Sequence, residues 1–224
     1  MSTQDPKAWV CWSSGKDSLW ALHVARHRDG VEVVGLLTTV TEAYRRVSMH
    51  GVREELLEAQ AAALQLPLYK AFIPTPCSNE TYEEVMRRAI DEAKQAGVTQ
   101  MIFGDLFLED IRAYREKQLA STGIEPCFPL WGQDTKALAR EMVAGGVRAY
   151  ITSLDPRQLG REFAGRTFDA DFLSRLPETV DPCGENGEFH TFAWAGPGFS
   201  HPLSVKVGET VEREGFVFTD VVAV

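Results

Sequence analysis

Short apolar runs and amphipathic helical stretches alternate along the first two-thirds of the chain, and this alternation restricts the fold more than any other feature. Residues 7–12 (KAWVCW), 31–37 (VEVVGLL), 67–73 (PLYKAFI) and 100–105 (QMIFGD) read as strands. Residues 16–28, 52–64 and 79–95 read as helices. Val52, Leu56, Ala59 and Ala63 form one stripe, and Tyr82, Val85, Met86, Ala89, Ile90 and Ala93 another. Gly97 ends the last of these. A helix over 134–144, opened by an Asp134 cap, and a fifth strand over 147–152 (VRAYIT) continue the series. Strands that alternate with helices imply an α/β fold built on a doubly wound parallel sheet. After about residue 155 the texture changes. A short helical piece (RTFDADFLSRLPE) precedes EFHTFAW, PLSVKVGETVERE and GFVFTDVVAV, which read as a small antiparallel unit. The expected organisation is a doubly wound domain over 1–154 and a smaller C-terminal α+β domain over 155–224, packed together because no low-complexity linker separates them.

In such sheets ligands sit beyond the carboxyl ends of the strands. The first strand ends there in Ser13-Ser14-Gly15-Lys16-Asp17-Ser18, and Gly104-Asp105 falls on the same edge. Two readings compete for the loop. In a capping box, a serine caps the first amides of the helix and Asp17 reaches back. In an anion cradle, amides and a helix N-terminus converge on a phosphate, with Lys16 adding a full charge. The Walker spacing GxxxxGK[ST] is absent.

Composition narrows the partners. The net charge is −9 and no Lys/Arg-rich arm exists, so stable nucleic-acid binding is not expected. Four scattered cysteines without a CxxC point to a reducing compartment. The N-terminal stretch lacks the charge and apolar core of a signal peptide, and no apolar run reaches the ~20 residues of a membrane span. A cytoplasmic protein without a membrane segment is expected. A homodimer is left open.

SSGKDS resembles the SGGxDS loop of the N-type ATP pyrophosphatases (PP-loop proteins), whose fold is the adenine nucleotide alpha-hydrolase-like, Rossmann-like sheet. Together with FGDLFLEDIRAYRE (103–116), EPCFPLW (125–131) and DPCGENGEFHTF (181–192), it resembles the diphthine–ammonia ligase (diphthamide synthetase) family over nearly the whole chain. The resemblance implies an ATP-dependent amide ligase. A carboxylate would be activated as an acyl-adenylate, with release of pyrophosphate, and ammonia would displace AMP. It implies ATP bound by Ser13, Ser14, Gly15, Lys16, Asp17, Ser18, Gly104 and Asp105, with Thr38, Met49, His50 and Gly51 bordering the adenosine. Asp17 and Asp105 would hold Mg²⁺, a hard cation suited to carboxylate and phosphate oxygens. Asp105 as a cap of the next helix is the plainer alternative.

Two departures stand out. Ser14 occupies the loop's first glycine position, which suits a serine only where no positive φ is needed. GENGEFHT replaces the GEGGEYET of established diphthine ligases, with Asn186 for Gly and His190 for Glu. That form resembles a bacterial branch of the family, whose acceptor need not be diphthine. The segment Glu185, Asn186, Gly187, Glu188, Phe189, His190 and Thr191, with Glu109 and Arg112, is implied to bind the acceptor or ammonia. Lys16, Asp17, Glu188 and His190 are the implied catalytic residues. The plainer reading makes Asn186-Gly187 a two-residue hairpin turn and Glu109, Arg112 and Arg115 a solvated helix face. Alternation would put Glu188 and His190 on one face, suited to binding an amine or taking its proton. Cys183 reads as a small buried residue rather than a thiol nucleophile. The competing functions are an RNA-modifying adenylase and a non-enzymatic nucleotide-binding module.

Overall fold

A computed structural model describes residues 5–27 and 31–224. The elements, in order, are β1 (Lys7–Cys11), α1 (Lys16–His27), β2 (Glu32–Thr41), β3 (Arg46–Val47), α2 (Glu54–Leu64), β4 (Leu68–Ile73), α3 (Asn79–Gln95), β5 (Val98–Ile102), α4 (Glu109–Leu119), β6 (Glu125–Cys127), α5 (Thr135–Ala144), β7 (Arg148–Leu154), α6 (Ala170–Arg175), β8 (Phe189–Ala195), β9 (Val205–Arg213) and β10 (Phe216–Ala223). Arg28, the expected last residue of the first helix, lies outside the described residues, as do residues 1–4 of the N-terminal stretch.

The first sheet runs β4-β2-β1-β5-β6 in parallel, with the two-residue β3 added antiparallel at the end of β2. Sequence order reverses between β1 and β5, which makes the carboxyl ends of these two strands the crevice of the sheet. Successive residues alternate between two cores. Ala8 and Val10 of β1, with Leu36 and Val40 of β2, face α1, α2 and α5. Trp9 and Leu37 face α3, where Ala89, Ile90 and Ala93 pack. The expected Asp134 cap is present, its Oδ1 accepting from the Ala137 amide at 2.8 Å. Ser78 also caps α3, its Oγ accepting from the Thr81 amide at 3.2 Å.

One strand was expected in the wrong sheet. Residues 148–154 do not extend the parallel sheet. β7 lies inside a second, antiparallel sheet ordered β8-β7-β10-β9. The outer parallel strand is instead β6, three residues long with Pro126 in its middle. A proline fits there because an edge strand need not donate on both sides. An apolar run such as RAYITSL carries no mark of which sheet it joins, and a three-residue strand is too short to show a period. The core on the α1 side continues through Ala149, Ile151, Phe189, Phe192 and Val217 of the second sheet, so the two sheets share it. Among the described residues, no helix is long and apolar enough to cross a membrane.

Candidate active site

The chain leaves β1 at a fastened point. The Trp12 amide donates to Leu37 O at 2.7 Å, and Thr38 Oγ1 donates to Trp12 O at 2.7 Å. Thr38 is buried and holds the residue just before the loop. The loop then turns through Ser14, whose φ is 70°. This corrects the expectation that the position avoids positive φ. The left-handed region costs a non-glycine residue roughly 1–2 kcal/mol, so the surroundings must hold it. They do so at the Ser14 carbonyl, which accepts from the Ala193 amide at 2.9 Å and from Gln60 Nε2 at 2.9 Å. Within the loop, Ser13 Oγ accepts from the Gly15 amide at 3.3 Å and lies 3.2 Å from Ser18 Oγ, which donates to Gly15 O at 3.0 Å.

The capping box does not form. Ser14 Oγ is buried without a hydrogen-bond partner, and the Asp17 carboxylate is taken by Lys16 at 3.0 and 2.8 Å. Lys16 is itself almost fully buried. Its ammonium also donates to the Cys183 carbonyl and lies 5.5 and 5.3 Å from the Phe168 and Phe189 ring centroids. Burial opposes this charge most, but Asp17 and neighbouring groups outweigh it and raise the pKa above the ordinary lysine value. Lys16 is therefore a fixed buried cation tying the loop to the C-terminal unit. It does not face an open cradle as the sequence suggested.

Gly104 lets the end of β5 approach α1. A Cβ there would meet the Asp17 carbonyl group and the Ser18 amide at 3.0–3.1 Å. Asp105 thus comes beside Asp17. Burial, followed by Asp17's charge, raises its pKa against the opposing pull of Arg115, whose Nε is 3.5 Å away. Asp105 does not cap α4, whose N-cap is Leu108 with no side-chain cap. Its Oδ2 is buried without a hydrogen bond. Glu185 completes an acidic wall. It accepts from the Leu106 amide at 2.7 Å, and burial chiefly, with Asp17 and Asp105, pushes its pKa up to about 7. Among the described residues, no three acidic, histidine or cysteine side chains are grouped to hold a metal ion by themselves. Mg²⁺ usually takes one or two carboxylates and draws its other ligands from phosphates and water, a role that Asp105, whose Oδ2 has no hydrogen bond, and neighbouring Asp17 would suit.

Over the loop sit two imidazoles. The His50 and His190 ring centroids are 4.6 Å apart with a 40° tilt, and His50 Nδ1 is 3.3 Å from Thr191 O. Thr191 Oγ1 accepts from the Lys16 amide at 3.0 Å. A Cβ on Gly15 would meet Thr191 at 3.2 Å and His50 at 3.3 Å, so a side chain here would press on the residues above the loop. Burial foremost, aided by the Lys16 charge, lowers His50 to about 4. Burial, His50 and Lys16 lower His190 to about 3. Both rings are neutral at pH 7.

The remaining segment departs from the hairpin reading. β8 pairs with β7, and Asn186-Gly187 lies within the loop before β8 rather than between paired strands. Glu188 is buried and closes that loop. Its Oε1 accepts from the Asp181 amide at 2.9 Å and Asn186 Nδ2 at 3.1 Å, while Oε2 has no partner. Phe189 packs edge-on against Phe172. Burial raises the Cys183 thiol, so it is no nucleophile. Met49 is 70% exposed, and Gly51 O accepts from Arg46 at 2.6 Å. Glu109 is exposed at the start of α4. Arg112 pairs with Glu116 at 2.7 Å and stacks over Phe128 and Trp131.

Sequence reading missed Gln60. It is fully buried and donates to both Ser14 O and Ala193 O. The signal was present: a polar residue on the Leu56–Ala63 stripe of an otherwise alanine-rich face.

The imidazole pair has a testable pH signature. Folding lowers both rings below the ordinary value of 6.5, so the unfolded chain takes up protons first. The pair's contribution is complete above about pH 6.5 and declines as pH falls toward about 4 and 3. Glu185 works oppositely. Raised from 4.5 to about 7, it favours the fold at low pH and loses that effect as pH rises between those values. The difference between parent and His190→Phe removes the Glu185 contribution. Urea midpoints should favour His190→Phe progressively as pH drops from 6.5 to 4. A difference that ignores pH would contradict the neutral, buried assignment.

A doubly wound sheet with a short serine–glycine loop, two carboxylates at its crevice and a second antiparallel sheet closing over the loop defines a two-part α/β protein of the PP-loop class. The family model for the diphthamide synthase N-terminal domain matches residues 6–126, and that for the C-terminal domain matches 134–221. The chain belongs to the diphthamide synthase family, a family of enzymes. It is 25% identical over 240 residues to a human protein named diphthine–ammonia ligase, covering 93% of this chain and 86% of that one. The zebrafish (Danio rerio) protein of that name is 26% identical over 188 residues, covering 76% and 72% of the two chains. The two family matches meet between 126 and 134, where the chain passes from the first sheet to the second.

Proposed function

We propose that the protein is an ATP-dependent ligase that joins ammonia to a carboxylate, forming AMP and pyrophosphate. The observation that supports it most is the meeting, around the 13–18 loop, of a helix N-terminus, the Asp17–Asp105 pair and two neutral imidazoles. The first group suits polyphosphate. The carboxylates would hold Mg²⁺, which would offset charge on the phosphates. The imidazoles suit an amine.

In this reading the loop amides bind the β and γ phosphates as a unit and leave the α-phosphorus open. The acceptor carboxylate attacks that phosphorus and pyrophosphate leaves, giving the acyl-adenylate. Ammonia attacks the acyl carbon, AMP departs, and the released proton goes to a neutral imidazole nitrogen of His190. Lys16, locked against Asp17 and the Cys183 carbonyl, keeps the loop in register with the C-terminal unit. Its fixed charge also discourages ammonium, so the nitrogen arrives as neutral ammonia. Glu188 is assigned to ordering the 181–188 loop rather than to proton transfer, because its Oε1 is already engaged with that loop.

The acceptor is a carboxylate on a small molecule or a modified protein side chain. Asn186 and His190 change the motif of diphthine ligases, so diphthine is expected to be a poor acceptor. The test is to supply ATP, Mg²⁺ and ammonium with a panel of carboxylates that includes diphthine-bearing elongation factor. Amide product should require both ammonium and a preferred acceptor other than diphthine. Efficient amidation of diphthine would overturn the acceptor assignment, and ATP cleavage indifferent to ammonium and carboxylate would overturn the ligase.

A further inference from the structure

We propose that Gln60 is a positioning residue: its side-chain amide clamps the 13–18 loop in the strained shape that receives phosphate, and couples that loop to β8. Its effect on nucleotide binding rests on the ligase reading above. Its effect on loop geometry does not.

Ser14 carries a conformational cost. A glycine would take φ of 70° without penalty, but a serine does not, and its hydroxyl finds no partner to compensate. Something else must hold the turn. The backbone bond from Ala193 supplies one anchor. Gln60 supplies the other, and its geometry leaves no freedom. Nε2 donates one hydrogen to Ser14 O at 2.9 Å and the other to Ala193 O at 2.6 Å. Oε1 accepts from Trp12 Nε1 at 2.8 Å, which fixes which end of the amide points at the carbonyls. Both donors are used, and all three partners are on buried residues.

No other side chain satisfies this set. Glutamate cannot donate, asparagine is one methylene short, and methionine offers no donor. Trp12 leads into the loop and Ala193 lies two residues after Thr191, which binds the Lys16 amide. One buried amide therefore ties together the start of the loop, its strained residue and the strand that carries His190.

The test uses hydrogen exchange on the free protein, read by mass spectrometry. In Gln60→Met, amides of the 12–18 and 191–195 segments should exchange about tenfold faster, the scale of one lost buried hydrogen bond. Those of α3 and of β9–β10 should keep the parent rate. Adding Ser14→Gly to Gln60→Met should return 12–18 to near the parent rate, since glycine needs no clamp, while 191–195 stays fast. Three results would overturn the proposal: parent-like exchange in the loop of Gln60→Met, uniform acceleration that includes α3, or failure of Ser14→Gly to slow the loop. ATP titration of the same variants is separate. Gln60→Met should bind about tenfold more weakly than the parent, whereas a parent that binds no ATP would count against the ligase reading alone.

Discussion

Replacing Asp17 by Asn is expected to lower turnover by about a hundredfold or more, the scale of one lost electrostatic group at a reacting phosphate. The same change removes the charge that compensates Lys16. That lysine is buried among Phe168, Phe189 and the Cys183 carbonyl, with nowhere to discharge into water. Breaking a buried ion pair by deleting one partner typically costs 3–5 kcal/mol. Asp17 keeps 27% side-chain exposure and an asparagine still offers one acceptor, so about 2 kcal/mol is the reasonable scale here. The reverse deletion is asymmetric. Lys16→Met leaves a carboxylate that water can reach, so it should cost less stability. The double variant Lys16→Met/Asp17→Asn should therefore regain most of the stability lost in Asp17→Asn but none of its turnover. Steady-state kinetics and chemical denaturation on the three variants check this. If turnover recovered along with stability, Asp17 would be a structural partner of Lys16 and nothing more.

His190→Phe carries the second large effect. Phenylalanine can still stack on His50 but cannot take a proton. Loss of general base catalysis is worth roughly 10²- to 10⁴-fold, and amide formation should fall by that amount. ATP affinity, measured by calorimetry, should stay near the parent value, because the loop amides and the carboxylate pair are untouched. Adenylate formation should also persist, so pyrophosphate release in the presence of acceptor becomes uncoupled from amide product. Parent-like amide formation would remove His190 from the chemistry. Equal loss of ATP binding and amide would make the imidazole pair a lid over the phosphates instead.

The parts of this molecule that were legible in its sequence are those written in local pattern. The α/β alternation, the strand–loop–helix junction at 13–18, the Asp134 cap and the antiparallel C-terminal strands all depend on neighbours a few residues apart. What was not legible depends on contacts across the chain. The sheet to which β7 belongs is set by β8 and β10, which come later. β6 hides because three residues around a proline show no period. The direction of Lys16 is set by Cys183, Phe168 and Phe189, more than 150 residues away in sequence. Ser14 could take a positive φ only because Ala193 and Gln60 hold its carbonyl. The site followed the same rule. Asp17 and Asp105 were recognisable on one sheet edge. The pairing of His50 with His190, from segments 140 residues apart, was not.

The ligase reading turns on which phosphorus of ATP is attacked. The loop lacks the Walker lysine–hydroxyl pair that orders γ-phosphoryl transfer. In the proposed ligase reading, its amides hold the terminal phosphates together and leave the α-phosphorus facing the acceptor. Chromatography of the nucleotide products from ATP, Mg²⁺, ammonium and a competent carboxylate reads this directly. AMP and pyrophosphate are expected in equal amounts, dependent on the acceptor and slow without it, since water is then a poorly positioned nucleophile. ADP and inorganic phosphate as the main products would contradict it.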